Sequence, residues 1–508
     1  MQSMTRSSRR TARALAAGVV LYLLVLAMGW LPHGDAAGGG HEVVHADVFV
    51  PSLWAVSPFV FLLLAIAILP LVPSTAHWWE SNRSRFLVAA FLGGVTLAYY
   101  GLLHPGGVAD HFAHRAASTT GLDTVIQVFN NAILVEYVPF IVLLFSLYVI
   151  SGGINLRGDL PAHPSVNSAF IALGTVLASF IGTTGAAMML IRPLLTTNRE
   201  RRHKVHTVIF FIFMTCNCGG LLLPIGDPPL FLGYLRGVPF TWTLKLWPYW
   251  LTVNLLLLLI YYVWDRVAYA REPLRTIIRD EAEVRPLKLT GLVNIPLLLA
   301  VVLSVAFLVP GRHIPGTPWE IPIFIRETVM ILLVIASLLL TRAETRLFNR
   351  FDYHAILEVA ALFSGIFVCM QVPIEILHAR GAELGLNSAA EFFWTTGILS
   401  SFLDNAPTYV VFFETAVSLP ASTAASAADL VHLAGGRVIL EALLIPISLG
   451  AVFMGANSYI GNGPNFMVKS IAEQSGVKMP SFFGYMAYSM LILVPVWVLV
   501  SVVLHFLY

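Results

Sequence analysis

The chain is 508 residues long, 57% of them hydrophobic and only 11% charged, and its mean hydropathy is +0.79. Soluble domains carry about 25% charged residues, so this composition excludes a soluble enzyme or a nucleic-acid-binding module and points to an all-α polytopic membrane protein. The formal net charge of +2 decides little, because charge in such a chain is sorted loop by loop.

Arg6, Arg9, Arg10 and Arg13 precede an apolar run from about Ala14 to Leu31, and Asp35, Ala36, Ala37 and Gly38 follow. The pattern fits either a cleaved signal peptide or a retained signal-anchor helix, with residues up to 52 lying outside. Plain apolar spans are expected at Leu53–Val72, Phe86–Leu103 and Ile133–Ile150. His104, His111 and His114 fall between the last two. They are read as part of a solvated loop, since no carboxylate or cysteine stands beside them at ligand spacing. Cys216, Cys218 and Cys369 lie in apolar segments and are read as packing residues.

Ala169–Leu194 is interrupted at Gly182-Thr183-Thr184-Gly185. Each arm is too short to cross about 30 Å of hydrocarbon, so a re-entrant hairpin is expected. Lys204–Arg236 is apolar but broken by Gly219-Gly220 and by Gly226-Asp227-Pro228-Pro229. Backbone N–H and C=O groups cannot face lipid unpaired, so such a break belongs inside protein or beside a watery cavity. A plain span at Thr243–Trp264 closes the first half, residues 53–264. Residues 265–290 carry Arg266, Arg271, Arg275, Arg279, Arg285 and Lys288, and read as a solvated linker helix.

Residues 291–508 replay this order. Spans are expected at Val293–Val309, Phe324–Leu340 and Ala355–Gln371. A hairpin over Ala389–Ala416 follows, broken at Asp404-Asn405-Ala406-Pro407-Thr408. Then come a discontinuous segment over Val438–Ala472 and a last span at Phe483–Phe506. Gly220 aligns with Gly455, Gly226 with Gly461, Asp227 with Asn462, Pro229 with Pro464 and Phe231 with Phe466, all 235 positions apart. The tips align too, Ser179–Thr183 with Ser401–Asn405. Each half then crosses an odd number of times, which makes the two repeats inverted, each with one hairpin and one discontinuous helix. With the linker in the cytoplasm, the inner loops hold Arg83 and Arg85; Arg157; Arg199, Arg201, Arg202 and Lys204; and Arg342, Arg346 and Arg350. The outer loops hold mostly single cations: Arg115, Arg236, Arg312, Arg380 and Arg437. That asymmetry fits a bacterial-type inner membrane with a cytoplasmic linker and a periplasmic C-terminus.

Paired interruptions in two halves mark the substrate and ion sites of secondary transporters. The tips supply Thr183, Thr184, Asp404, Asn405 and Thr408; the breaks supply Asn217, Asp227, Asn457, Ser458, Asn462 and Asn465. Gly182, Gly185, Gly219, Gly220, Gly226, Pro228, Pro229, Pro407, Gly455, Gly461, Gly463 and Pro464 shape the breaks. Hard oxygens suit sodium, and Asp227 and Asp404 are the titratable groups at the centre, so these two are the expected sodium ligands, with protons as the exchanged partner. Half-helix N-termini suit anions instead, so backbone geometry permits either sign of cargo. Arg192 and Lys469 flank breaks and either serve an anion or snorkel. Glu136, Glu358 and Glu414 lie near span ends and are read as interfacial or structural. Asp and Asn also cap helices, but an unused acid at membrane depth is costly, which favours an ion-binding role. No catalytic residue and no resident cofactor are expected.

The pattern Ser401-Phe402-Leu403-Asp404-Asn405-Ala406-Pro407-Thr408, with Gly219-Gly220-Leu221-Leu222-Leu223-Pro224-Ile225-Gly226-Asp227-Pro228-Pro229, resembles the ion transporter superfamily. That group includes NhaD-type sodium/proton antiporters, arsenite permeases and citrate and dicarboxylate carriers, and the similarity runs from about Leu53 onward. An Asp-Asn-x-Pro motif in the second hairpin matches the antiporter and arsenite branches at Asp404, Asn405 and Pro407. The dicarboxylate branch uses Ser-Asn-Thr in each hairpin, from which Gly182-Thr183-Thr184 and Asp404-Asn405-Ala406 depart; citrate, taken as a metal complex, stays open. The resemblance implies a homodimer with a scaffold domain (Leu53–Ile150 and Val293–Gln371) and a mobile transport domain. The leading expectation is therefore a sodium/proton antiporter working by alternating access. A cation-coupled citrate or small-carboxylate carrier is second and an arsenite or oxyanion exporter third. An intramembrane aspartyl enzyme would not need two matched helix breaks, and mobile hairpins argue against a channel.

Overall fold

The computed structural model describes residues 2–28, 49–70, 72–112, 117–313, 317, 319–349, 351–420, 429–433 and 436–507. The cleavage-like stretch Asp35–Gly38, His114 and Tyr508 lie outside the described residues. The described residues are mostly helical, with two small two-stranded ladders. Among the described residues, five helices are long and apolar enough to cross a membrane, or seven if two bent pairs count as spans.

Helix α1 (Gln2–Ala27) donates the Tyr22 hydroxyl to the Ile323 carbonyl at 2.6 Å. The expected straight span Leu53–Val72 is instead a short turn at Leu53–Val56, then α2 (Ser57–Ile68) and α3 (Pro73–Trp79). Pro70 and Pro73 explain the interruption: each lacks a backbone donor and disfavours helix in the residue before it. Helix α4 (Asn82–Leu102) is as expected. Helix α5 (Leu122–Phe129), a π-helical segment (Asn130–Tyr137) and α6 (Val138–Ser151) run on as one 30-residue apolar rod.

After strand β1 (Asn155–Asp159) come the hairpin arms α7 (Pro164–Ile181) and α8 (Thr183–Thr197). The first arm begins earlier than expected, and at 18 residues it is long enough to cross. The break shrinks to Gly182, whose φ of 78° is a glycine conformation. A Cβ on Gly174 would sit 3.2 Å from Leu190, so the arms lie side by side about the tip. The broken span is α9 (Val205–Thr215), a 3-10 turn at Cys218–Leu221, and α10 (Pro228–Leu235). Helix α11 (Trp247–Tyr269) completes the half.

The linker departs from expectation. It forms α12 (Leu274–Ala282) and strand β2 (Arg285–Thr290), antiparallel to β1. Its cations stay exposed, but Asp265, Glu272 and Asp280 are buried. Asp265 meets Arg201 at 2.6 Å and His206 at 2.8 Å; Glu272 accepts the His203 N–H at 2.7 Å; Asp280 accepts the Ala162 N–H at 2.7 Å. Local sequence shows charge density, not the segments 59 or more residues away that supply these partners. On the exposed side, Arg279 lies 3.1 Å from Glu283 and holds that carboxyl below its ordinary range.

The second half contributes α13 (Asn294–Phe307), α14 (Ile325–Leu340), α15 (Ala343–Phe348), α16 (His354–Cys369) and α17 (Gln371–Arg380). The hairpin arms are α18 (Ala389–Phe402) and α19 (Asn405–Val417), and strands β3 (Leu430–His432) and β4 (Val438–Leu440) form a small ladder. The broken span is α20 (Glu441–Met454), a 3-10 turn at Gly455–Asn457, and α21 (Gly463–Gln474); α22 (Phe482–Leu507) ends the chain.

Packing crosses between the halves. Helix α4 packs on α16, where a Cβ on Gly365 would press on Ala89, and α6 packs on α14 in the corresponding way. Small residues at such crossings let backbones approach where lipid gives no hydrophobic drive. Likewise α8 packs on α21 and α10 on α19, so each hairpin's second arm lies against the other half's broken span.

Ion pairs join distant parts of the chain. Arg85 meets Glu358 and Arg201 meets Asp265. Arg236 meets Glu414 at 2.9 Å and Glu136 at 3.0 Å, with His378 and Arg437 also on Glu414, and His104 meets Glu375. Glu136, Glu358 and Glu414 thus each face an arginine, as a structural reading requires. His104 is buried rather than solvated; its carboxylate companion comes from a helix far along the chain. Among the described residues no three His, Cys, Asp or Glu side chains gather as a metal site.

Candidate functional site

Both hairpin tips and both helix breaks converge on one carboxylate, Asp227. It is 1% exposed and stands at the N-terminus of α10, held there because Pro228 and Pro229 can start a helix but not continue one from before. Thr183 Oγ1 donates to its Oδ1 at 3.1 Å and Asn462 Nδ2 to the same oxygen at 3.0 Å; Asn405 Nδ2 donates to Oδ2 at 2.6 Å. The donors come from three elements: the first tip, the second break and the second tip. Asp227 makes no side-chain cap to its own helix, so a simple capping role does not account for it.

These contacts repeat between the halves. Thr183 and Asn405 occupy aligned tip positions and both donate to Asp227. Asp227 and Asn462, 235 positions apart, touch directly. Ser179 donates to the Gly219 carbonyl, and its counterpart Ser401 to the Met454 carbonyl at 3.2 Å. The breaks fold closely back on themselves: a Cβ on Gly226 would collide with the Gly220 carbonyl, and one on Gly461 with the Gly455 carbonyl, so only glycine fits at these positions.

Four helix N-termini meet here. Asp227 and Asn462 flank the starts of α10 and α21, while Thr183 and Asn405 are the first residues of α8 and α19. Each N-terminus carries partial positive charge, although the Thr183 N–H is taken by the Gly226 carbonyl and the Ala406 N–H by Asp404 Oδ1. Two amide oxygens, Asn217 Oδ1 and Asn405 Oδ1, are buried without a hydrogen-bond partner. The site therefore holds one carboxylate, two open acceptors and a positive backbone field. Among the described residues, no Arg or Lys side chain hydrogen-bonds to Asp227.

The remaining expected residues take other positions. Asp404 caps α19, its Oδ1 accepting the Ala406 N–H at 3.1 Å, and it is half-buried. Thr408 donates to the Asp404 carbonyl within that first turn. Thr184 is half-buried and makes no side-chain hydrogen bond among the described residues. Asn217 bridges the halves, donating to Asn465 Oδ1 at 2.8 Å. Asn465, Ser458 and Asn457 are spent on the second break: Asn465 donates to the Gly455 and Ser458 carbonyls, Ser458 accepts the Gly461 N–H, and Asn457 donates to Ser401. Lys469 lies 3.5 Å from Glu473 and over the rings of Tyr459 and Phe466. Arg192 is half-buried on α8. Cys216, Cys218 and Cys369 are buried free thiols.

Some residues escaped sequence reading. Trp250 and Asn254 donate to the Gly219 and Cys218 carbonyls of the first break. Tyr485 and Ser489 donate to the Ala456 and Asn457 carbonyls of the second, and Trp497 holds Asn457 Oδ1 at 3.0 Å. Trp250 pairs with Tyr485, and Asn254 with Ser489, at the same 235-residue spacing as the breaks. Carrying that spacing into the following span would have found them.

A family model described as "Putative citrate transport" matches residues 49–506 of the chain. No curated protein matches it.

Proposed function

The chain belongs to this citrate-transport family, and from that premise we propose that it carries citrate or a related small carboxylate across the membrane, coupled to a cation that binds at Asp227. The observation that carries the reading is the meeting of four helix N-termini at one buried acid. N-termini attract anionic carboxylates. An ionised Asp227 repels them: two like charges about 4 Å apart cost about 4 kcal/mol at an effective dielectric of 20. A proton or metal cation on Asp227, with the open oxygens of Asn217 and Asn405 beside it, removes that repulsion. Cargo and coupling ion then favour each other's binding, as symport requires.

The test is uptake into proteoliposomes of the purified chain. Saturable citrate uptake that collapses when the proton and sodium gradients are dissipated is expected. Sodium-driven proton flux that proceeds without citrate would hand the site to sodium/proton exchange, the reading the Asp404-Asn405-x-Pro407 motif favours; arsenite-driven flux would hand it to oxyanion export.

Asp404→Asn isolates charge from capping. Asn caps a helix about as well as Asp, so the variant should fold to wild-type yield. Coupled uptake is expected to stay within a few-fold of wild type, because Asp404 caps α19 and the coupling ion is placed at Asp227. A loss of about tenfold or more would give the Asp404 charge a part in cation binding.

Each half crosses an odd number of times in this proposal, so the repeats are inverted, the linker is cytoplasmic and the C-terminus periplasmic, in a bacterial-type inner membrane. A reporter placed after Glu283 should be active only in the cytoplasm and one fused after Tyr508 only in the periplasm. A cytoplasmic C-terminus would refute the inversion.

A further inference from the structure

Away from the breaks, the linker strand helps gather cations that make no ion pair among the described residues. Arg157 on β1 and Lys288 on β2 stand directly opposite each other in the ladder, an arrangement of like charges that destabilises a sheet. Arg342, at the start of α15, lines the same cavity of about 430 Å³, with Glu344 as its acid. Arg157 is held in place: its Nε donates to Asn155 Oδ1 at 2.9 Å, and its guanidinium lies 3.3 Å from the Phe348 ring centroid. Lys288 and Arg342 are exposed and make no ion pair among the described residues.

The cavity lies where α14 ends and just before α13 begins, so it sits at the end of two apolar helices. Its surroundings are greasy as well as basic: Leu340 and Phe348 are 61% and 56% exposed, and Leu289 and Leu292 are exposed beside them. A free anion needs the cations but not this apolar rim; a lipid needs both. We infer that this cavity binds the phosphate of an anionic phospholipid headgroup, its acyl chains lying along Leu292 and Leu340. The lipid bridges the linker strand to the second half and relieves the opposed Arg157 and Lys288 charges. Basic pockets at helix ends are the recognised chemistry for such headgroups.

The experiment uses the full chain purified in a neutral detergent. Its thermal midpoint is followed while phosphatidylglycerol, phosphatidylcholine or inorganic phosphate is titrated in. Phosphatidylglycerol is expected to raise the midpoint, with the other two giving no comparable rise. In Lys288→Gln/Arg342→Gln, the phosphatidylglycerol concentration giving half the effect should rise about 30-fold, as expected for two surface cations. Arg271→Gln/Arg275→Gln, two exposed linker cations away from the cavity, should leave it unchanged. An equal loss in both double variants, or no loss in either, overturns the site. An equal rise with inorganic phosphate overturns the lipid in favour of a free anion. Single Lys288→Gln, with an intermediate shift expected, serves if the double variant folds poorly.

Discussion

Asp227→Asn is expected to abolish coupled uptake, lowering the initial rate by at least about 100-fold, with the chain still in the membrane. The carboxylate accepts hydrogen bonds from Thr183, Asn462 and Asn405. An amide offers one accepting oxygen and one donating nitrogen, so at least one of these donors would then face a donor. Hydrogen bonds to charged groups contribute about 1.5–3 kcal/mol each, and losing even one such bond together with the coupling charge reaches the 100-fold range at 1.4 kcal/mol per tenfold. The readout is citrate uptake against pH and sodium concentration. Lys469→Gln is the companion measurement: Lys469 is engaged with Glu473 and two rings rather than with the tips, so its loss should change uptake only a few-fold. Uptake that survives Asp227→Asn but fails in Lys469→Gln would move the charge chemistry away from Asp227.

Arg236→Gln should destabilise the fold by about 3–5 kcal/mol, the usual cost of removing one partner from a buried ion pair. Arg236 is 6% exposed and bridges Glu414 and Glu136. Without it Glu414 keeps His378 and Arg437, but Glu136 has no cation left among the described residues. A marked drop in the thermal midpoint in detergent is expected, and Glu136→Gln/Arg236→Gln should recover part of it, since the double change removes the stranded charge. An unchanged midpoint would show that the cluster is solvated. The same cluster joins the rod carrying Glu136 to α10 and α19, which begin at the first break and the second tip.

The citrate-family match favours the second of the three cargo classes read from the chain over sodium/proton exchange. The residues had pointed the other way because oxygen-rich side chains suggest sodium. The meeting of the two tips and two breaks is expected from the paired interruptions; that four helix starts face one carboxylate, Asp227, is visible only in the structure.

Sequence alone determined the helical membrane class and located the two hairpin tips and the two helix breaks, but not the interruption at Pro70 and Pro73. These rest on local chemistry: apolar runs of set length, glycine and proline where helices cannot continue, and the rule that lipid tolerates no unpaired backbone. The alignment of Asp227 with Asn462 was legible as a spacing. That the two touch was not. Only the tertiary structure decided that Thr183 and not Thr184 reaches the carboxylate, that Asp404 caps a helix while Asp227 is the hub, and that Asp265, Glu272, Asp280 and His104 are buried. Each depends on the rotation of a helix end and on partners from the other half or far along the chain, because α8 lies on α21 and α10 on α19. Residue type fixes what a side chain offers to bind; the crossing of the two halves fixes what it meets.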